Sequence, residues 1–514
     1  MSKTIIIIGA GLAGLSAALQ AAENGCNVKL VSSLPSERAQ SVMAEGGINA
    51  ALNTKDENDS PEEHFTDTIK AACGLADPNA VWGMTQAAPE LVHWLLILGV
   101  KFNMSGYDDV DLRNFGGQKK KRTAFAQSDT GKQIMTAMID AVRRKEASGM
   151  VERFSHHSFI TLRLCGNICC GCVIRDEYSQ ETVELPGDAV IVATGGMHGL
   201  FGNTTGSLSN TGEVTAELFR LGVPLANGEM IQYHPTTVKC GGKRMLISEA
   251  ARGEGGRLFA MKDGKQWYFM EEKYPELGNL MPRDITAREI WKVSHESEVF
   301  LDMTEISEEI ISNKLSGLAD DCMTYLHKDI RKEPVSVLPG IHYFMGGILV
   351  DEQHRTPIQN LYAAGECCAQ YHGANRLGGN SLLGALYGGR VAAKSACEQA
   401  DVVELSCATQ IDFPPASQIS EIKQLNKVMQ ETMGVVRNEN TLLNGIKTVQ
   451  ALTGNLPLLG MAVLKSALAR KESRGAHWRE DYPKSNDDDY LKTTVARFDG
   501  KQIQISFVPV PERR

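Results

Sequence analysis

The sequence predicts an α/β protein of more than one domain, and three observations support this prediction. The chain has 514 residues, whereas a single hydrophobic core seldom grows beyond about 250 to 300 residues. A strand, a glycine-rich turn and a helix open the chain, and two later apolar strands also end in glycine. A long segment without this pattern separates those two strands, which indicates an inserted domain.

The opening motif predicts a Rossmann-like dinucleotide-binding turn. An apolar strand over residues 4–8 leads into Gly9, Ala10, Gly11 and Gly14, a helix follows to residue 22, and a second strand covers residues 27–31. Gly9 permits the tight turn, and Gly11 lets the backbone approach the pyrophosphate. Gly14 allows the helix to pack closely on the strand. Ser32 stands where NAD-binding members of this fold usually carry an acidic residue, so the motif does not favour NAD.

Two later strands continue the same sheet. One covers residues 188–192 and ends in Thr194 and Gly195, and the other covers residues 361–364 and ends in Gly365 and Glu366. The segment between them lacks such a fingerprint, and after residue 400 the pattern predicts helices over residues 417–433 and 460–471 and a polar tail.

Composition excludes several classes of protein. Hydrophobic residues make up 42% and charged residues 22% of a chain with net charge −9, which indicates a globular protein without non-specific affinity for nucleic acid. The basic run at residues 119–122 is expected to be a solvated loop. Strand 4–8 leaves no room for a secretion signal, and no apolar run reaches the roughly 18 residues of a membrane span. We therefore expect a cytoplasmic chain whose membrane contacts, if it makes them, are made through a partner.

The twelve cysteines are expected to be reduced thiols. Cys165, Cys169, Cys170 and Cys172 are close in sequence, but their spacing fits no four-ligand metal site. We favour a β-hairpin here, with strands over residues 159–164 and 171–174 around a turn at residues 166–167. The acidic run 487–489 is interpreted as a solvated turn, so no metal site is predicted.

Several short segments carry polar residues beside glycine or proline. They contain His234, Ser248 with Glu249 and Arg252, Arg283, His342, and Arg376. Arginine binds a carboxylate through a planar fork, and histidine adds a donor. A single such residue is more often structural, but together they predict a site for an anion.

In this order, the segments resemble the flavin and dicarboxylate motifs of the succinate dehydrogenase and fumarate reductase flavoproteins. The resemblance extends from Gly9 through residues 44–47 and 115–117 to residues 472–477. It implies a Rossmann-like FAD-binding domain with an inserted α+β capping domain and a C-terminal helical domain. We accordingly divide the chain into an FAD-binding domain (1–227 and 341–400), a capping domain (228–340), a helical domain (401–485) and a C-terminal tail (486–514).

The resemblance also implies roles for individual residues. Arg283 exchanges a proton with the substrate, and Glu249 and Arg252 continue the proton path. The substrate carboxylates are held by His234, Ser248, His342 and Arg376, with Ser248 where the family usually has threonine. Phe115 lies over the dicarboxylate or packs in the core. The residues implied for FAD are Gly9, Ala10, Gly11, Gly14, Ser32, Ala44, Gly46, Gly47, Thr194, Gly195, Glu213, Gly365, Glu366, Ser381 and Leu382.

The implied reaction is the reduction of fumarate to succinate, with hydride from the flavin and a proton from Arg283. Gln40 occupies the place of the histidine that links FAD covalently in respiratory members, so FAD is expected to be non-covalent and the fumarate-reducing direction favoured. The resemblance also implies an iron–sulfur or other electron-transfer partner. Through that partner, the cytoplasmic chain would be peripheral on the cytoplasmic face of the membrane. Alternatives are an L-aspartate oxidase, a reductase of a substituted unsaturated dicarboxylate, and an electron carrier without a substrate of its own.

Overall fold

The first part of the chain alternates strands with helices, and the computed structural model describes residues 2–106, 108–400, 411–415 and 418–514. The strands are β1 (Thr4–Ile8), β2 (Asn27–Ser32), β3 (Ile48–Asn49), β4 (Leu112–Arg113), β5 (Thr123–Ala124), β6 (Val151–Ser155), β7 (His157–Cys165), β8 (Ile168–Asp176), β9 (Thr182–Pro186), β10 (Ala189–Val192) and β11 (Leu225–Ala226). The helices are α1 (Leu12–Glu23), α2 (Pro61–Ala71), α3 (Pro78–Ile97), α4 (Thr130–Ala147) and α5 (Glu213–Arg220). The predicted first strand, turn and helix are all present.

The middle of the chain mixes short helices with two antiparallel sheets. Its strands are β12 (Ile231–Cys240), β13 (Lys243–Leu246), β14 (Arg257–Lys262), β15 (Lys265–Trp267), β16 (Val299–Asp302), β17 (Val335–Ser336) and β18 (Leu338–Phe344). Its helices are α6 (Glu249–Gly253), α7 (Phe269–Lys273), α8 (Arg283–Val293), α9 (Glu308–Lys314) and α10 (Ser316–Asp321). The sheet orders are β13–β12–β18 and β15–β14–β16–β17. The predicted boundary at residue 340 falls inside β18, and the domain limits remain predictions.

The chain then returns to the first sheet. The elements are β19 (Gly347–Leu349), β20 (Leu361–Ala363), β21 (Cys368–Ala369) and α11 (Asn380–Gln399). Strand β20 pairs with β10, and the central sheet has the order β20–β10–β1–β2–β6 with all strands parallel. Because the carboxyl ends of parallel strands share one edge, the glycine turns after β1, β10 and β20 lie side by side there.

The C-terminal part packs against this body through helices and a hairpin. Its elements are α12 (Ile419–Thr432), α13 (Glu439–Val449), α14 (Asn455–Ala469), α15 (Asp487–Tyr490), β22 (Lys492–Phe498) and β23 (Ile503–Pro509). The start of the predicted helix 417–433, at residue 417, lies outside the described residues. Ala496 of β22 pairs with Leu225 of β11, so the predicted tail contributes two strands to a sheet. Among the described helices, none joins the length of a bilayer span to the low polarity that such a span requires.

The basic run at residues 119–122 is only partly the solvated loop that we predicted. Lys119 and Lys121 are exposed, but Arg122 is fully buried. Its Nη2 atom lies 2.8 Å from Asp59 Oδ1 and 3.0 Å from Asp67 Oδ2. A buried guanidinium requires such partners, so Arg122 joins this loop to α2.

The predicted cysteine hairpin is present as β7 and β8, which pair antiparallel. Cys169 and Cys172 are fully buried in an apolar cluster. Among the described residues, no group of three or more histidine, cysteine, aspartate and glutamate side chains is arranged to hold a metal ion.

Candidate active site

A cavity of about 920 Å³ runs along the carboxyl edge of the central sheet to the inserted segment. Of the residues predicted for FAD, those lining it are Gly9, Ala10, Gly11, Ser32, Ala44, Gly46, Gly47, Thr194, Gly195, Glu213, Gly365, Glu366, Ser381 and Leu382. Of the residues predicted for the substrate and its proton, those lining it are Phe115, His234, Ser248, Glu249, Arg283, His342 and Arg376. Gly14 and Arg252 lie behind the wall.

The dinucleotide turn shapes one end of the cavity. A Cβ atom on Gly14 would lie 1.9 Å from the Gly9 carbonyl oxygen, whereas one on Gly11 would meet nothing closer than 3.8 Å. Gly14 therefore permits the packing of α1 on β1, and Gly11 keeps open space beside the helix. The N-cap residue of α1, Gly11, gives no side-chain cap. The Leu12 amide donates to Ser41 Oγ at 3.3 Å, and the next amide, of Ala13 on the cavity wall, can meet an anion such as a pyrophosphate.

A second helix N-terminus faces the same cavity. Helix α11 follows Gly379, which has φ +84°, and it also lacks a side-chain cap. Ser381 and Leu382 lie in its first turn and line the cavity. The buried Ser32 Oγ atom has no hydrogen-bond partner among the residues that the structure describes. Two helix N-termini and an unsatisfied hydroxyl along one cleft fit an elongated dinucleotide such as FAD.

Glu366 is fixed by the protein backbone. Its Oε1 atom accepts a hydrogen bond from the Phe344 amide at 3.0 Å and lies 3.7 Å from His198 Nε2. It thus forms a rigid acidic part of the wall where β18 meets the central sheet.

A buried ionic cluster forms the other end of the cavity. Glu249 Oε2 accepts from Arg283 Nε at 2.7 Å, and Glu249 Oε1 lies 3.3 Å from Arg252 Nη2. The Gly116 amide also donates to Glu249. Burial opposes ionisation of Glu249, but the charges of Arg283 and Arg252 outweigh it and hold the pKa of Glu249 below its usual value.

Gln232 joins this cluster to Arg376, and the sequence analysis missed it. Its Oε1 atom accepts from Arg283 Nη1 at 3.1 Å, and its Nε2 atom donates to the Arg376 carbonyl at 2.8 Å. Gln232 precedes His234 by two positions on β12, and alternate residues of a strand face the same side. This periodicity could have identified it.

His234 and His342 face each other with ring centroids 5.2 Å apart. His342 Nδ1 lies 2.8 Å from the Thr205 hydroxyl, and His234 Nδ1 donates to the Thr236 carbonyl at 3.0 Å. Burial, followed by the charge of Arg283, holds the pKa of both rings well below 6.5. Both are therefore neutral at neutral pH. With Nδ1 accepting from the Thr205 hydroxyl, His342 can donate to a ligand from Nε2–H, whereas the one proton of neutral His234 is used on the Thr236 carbonyl, so its Nε2 donates to a carboxylate only when the ring becomes protonated.

Arg376 has no ion pair within the described part of the chain, and its Nε atom is buried without a hydrogen-bond partner. Its guanidinium lies 4.3 Å from the centre of the Tyr343 ring. Burial, followed by the charge of Arg283, lowers its pKa to about 9. Three arginines, Arg252, Arg283 and Arg376, lie around Glu249, and the Glu366 carboxyl group acts on Arg376 from the cavity wall. Positive charge is still in excess at this end of the cavity, which suits an anionic ligand.

Glu45 is a second residue that the sequence analysis did not place in the site. It lines the cavity beside Ser248, and burial, followed by the charge of Asp321, raises its pKa to about 8. It is therefore protonated at neutral pH and does not cancel the positive charge of the arginines. The available signal was an ionisable residue between Ala44 and Gly46 in an otherwise apolar segment.

Phe115 combines the two roles considered for it. Its side chain is 2% exposed and belongs to the core of the inserted segment. It also lines the cavity, and a Cβ atom on Gly46 would lie 2.9 Å from its ring. Gly46 thus gives the ring its place in the wall.

Comparison with protein families first defines the class. The sequence matches the family described as FAD binding domain over residues 4–382, and the fit of the cavity to FAD agrees with this. The protein is an FAD-dependent oxidoreductase with the predicted α/β architecture.

A second match assigns the family. Residues 452–513 match the family described as fumarate reductase flavoprotein C-term. The succinate dehydrogenase flavoprotein subunit of Bacillus subtilis is 38% identical, over 100% of this chain and 98% of its own. A structure of a mutated FrdA of E. coli quinol fumarate reductase has a TM-score of 0.90 at 27% identity and covers 99% of this chain and 97% of its own. The chain belongs to the succinate dehydrogenase and fumarate reductase flavoprotein family, as its motifs predict.

The family has a neighbouring branch. L-aspartate oxidase of Pyrococcus furiosus is 33% identical, over 94% of this chain and 97% of its own.

Proposed function

We propose that this protein reduces fumarate, or a close unsaturated dicarboxylate, to the saturated product. The observation that carries the proposal is the excess positive charge of the Arg252, Arg283 and Arg376 cluster. Arg283 and Arg376 line the same cavity as the dinucleotide turn, and Arg252 lies directly behind its wall. A dicarboxylate dianion neutralises that charge. An electron carrier without a substrate would have no need of it.

Four side chains are proposed to hold the carboxylates. Arg376 offers a charge that has no ion-pair partner among the described residues, His342 offers an Nε2–H donor, and His234 offers Nε2, which donates once a dicarboxylate stabilises the protonated ring. Ser248 supplies a hydroxyl at the N-terminus of α6, where it accepts from the Ala250 amide. Such fixed donors orient the substrate and draw electron density from its double bond.

FAD, when bound, supplies the hydride that reduces one alkene carbon. Arg283 is proposed to deliver the proton to the other carbon from its guanidinium. Arg283 is held by Glu249 and Gln232 on the cavity wall, so its position is fixed before the substrate binds. Glu249 and Arg252 are the adjoining groups through which the proton is replaced.

We propose that FAD is held without a covalent bond. Gln40 lies in a short 3₁₀ helix on the cavity wall, and its amide is not a nucleophile. Retention then depends on the two helix termini and on contacts along the cleft.

Electrons are proposed to come from an iron–sulfur or other electron-transfer partner. The name of one relative, quinol fumarate reductase, supports a donor outside the flavoprotein chain. A cytoplasmic location, peripheral at the membrane through that partner, is part of the same proposal.

An anaerobic assay with reduced viologen and a panel of dicarboxylates tests the activity. We expect turnover with fumarate, and the panel should contain substituted fumarates and, with oxygen as acceptor, L-aspartate. Turnover of L-aspartate without turnover of fumarate would contradict the proposal and favour the oxidase. Perturbation of the oxidised flavin spectrum by dicarboxylates, without turnover, would separate binding from chemistry.

A further inference from the structure

The cavity extends past the dinucleotide turn to two aromatic rings that the proposed reaction does not use. His156 and Tyr178 both line it, with ring centroids 5.1 Å apart and an angle of 54° between their planes. They lie at the opposite end from the arginine cluster. A pair of rings in a cavity wall is suited to a flat aromatic ligand.

The sheet order places these rings beside the end of β2. Strand β6 is the parallel neighbour of β2, and Ser155 pairs with Ser32. The next residue, His156, has φ +58°, and this left-handed conformation turns the chain into β7. In dinucleotide-binding folds the adenosine follows the end of the second strand. The unsatisfied Ser32 hydroxyl lies at the same edge.

Tyr178 is exposed but its backbone is firmly held. Its residue surface is 79% exposed, while Asp176 Oδ1 accepts from the amides of Tyr178 at 2.7 Å and Ser179 at 2.9 Å. The neighbouring Glu177 amide donates to the His156 carbonyl at 2.8 Å. The two segments are thus tied together, so that the backbone carrying the exposed ring is held at the mouth of the cavity.

We propose that Tyr178, with His156, forms the binding site for the adenine ring of FAD, and that Tyr178 stacks on that ring. The inference rests on the proposed non-covalent retention of FAD and not on the proposed substrate. Without a covalent link at Gln40, contacts at the adenosine end carry part of the affinity. A ring that stacks on adenine gains by contact area alone and needs no hydrogen-bond geometry.

The test compares FAD with FMN, which lacks the adenosine. Apoprotein is produced in a riboflavin-auxotrophic host, and dissociation constants are measured from the change in flavin fluorescence. Tyr178→Ala is expected to weaken FAD binding by about 5- to 100-fold, from the usual energy of base–aromatic stacking. Its affinity for FMN is expected to stay unchanged, and Tyr178→Phe is expected to keep most of the affinity for FAD.

Two further variants complete the design. Tyr325→Ala removes another tyrosine that lines the cavity and is 58% exposed, and it should leave FAD affinity unchanged. His156→Asn removes the second ring while tolerating the left-handed backbone, and it should weaken FAD more than FMN.

The outcomes separate the proposals. FAD affinity equal to wild type in both Tyr178→Ala and His156→Asn would overturn the adenine site, and so would an equal loss of FAD and FMN. Flavin that cannot be released from denatured holoprotein would contradict only the non-covalent retention, because the apoprotein measurement does not depend on stripping the flavin.

Discussion

Arg283 has geometry that a lysine does not reproduce. Its Nε and Nη2 atoms contact Glu249 while Nη1 contacts Gln232, which uses the planar fork of the guanidinium. Arg283→Lys is expected to bind FAD and dicarboxylate but to lose about 10²- to 10⁴-fold in kcat, since proton delivery depends on position. Steady-state viologen assays and spectral titrations measure the two quantities. Fumarate reduction near the wild-type rate would exclude Arg283 as the proton donor.

Arg376 is expected to supply affinity and not protons. Arg376→Ala removes a charge-assisted partner worth about 3 kcal/mol, so the dissociation constant for dicarboxylate should rise at least about 100-fold. Bound FAD should remain, because its pyrophosphate and adenosine are expected to bind at the dinucleotide turn, away from Arg376. Unchanged fumarate affinity in a titration of the flavin spectrum would remove Arg376 from the clamp.

The pH dependence of binding follows from two groups. Glu45 is protonated below a pKa of about 8 and Arg376 is charged below about 9. Raising the pH therefore adds a negative charge and then removes a positive one, and both changes weaken binding of a dianion. The dissociation constant should rise as the pH passes about 8, and Glu45→Gln should remove this first rise. A loss of affinity centred near pH 6.5 would instead show that the histidines of the free site are cations below that pH.

At the scale of elements, α1 is positioned by two glycines with different functions. Gly14→Ala places a methyl group 1.9 Å from the Gly9 carbonyl, so the free energy of unfolding should fall by roughly 3 kcal/mol. Gly11→Ala points into open space and should leave the melting temperature of the apoprotein unchanged while it weakens FAD binding. Thermal unfolding with and without FAD distinguishes them. Equal destabilisation of both apoproteins would contradict this division.

Elements with local signals were predictable from the sequence. The apolar run predicts β1 with the bounds that the structure has, and the glycine turn predicts α1, which begins within that turn at Leu12 and ends one residue later than predicted, at Glu23. Strand β22 was missed although Asp499 and Gly500, between two runs of alternating apolar residues, give a hairpin signal. Its pairing with β11 was not predictable, because β11 has two residues and lies far away in sequence. The burial of Arg122 was missed for a related reason, since its partners Asp59 and Asp67 meet it only in the fold. The local sequence pattern predicts the strand or helix in which a residue lies. It does not predict which distant residue will contact it in the fold.

At the scale of the whole molecule, the site exists only where separate stretches of chain meet. The arginine cluster takes Glu249 and Arg283 from the inserted segment and Arg376 from the returning chain. Motifs in the sequence predicted these residues. Gln232 and Glu45 were not predicted, because their place in the site depends on contacts between separate stretches of the chain. The proposed substrate chemistry and flavin binding thus both depend on how the inserted segment packs against the central sheet and the returning chain.

The last prediction concerns the holoprotein and the direction of its reaction. Because Gln40 cannot bond to the flavin, acid or heat precipitation should release yellow FAD into the supernatant.

In the respiratory members of the family that the sequence resembles, the covalent bond raises the flavin potential and favours taking electrons from succinate. Its absence should favour fumarate reduction, and succinate oxidation with an artificial acceptor should be weak. Gln40→His provides the matched variant, since it restores the nucleophile at the same position of the cavity wall. Colour that remains in the precipitate of the wild type would disprove non-covalent retention. Equal rates in the two directions, with flavin released, would leave retention standing and disprove the bias toward reduction.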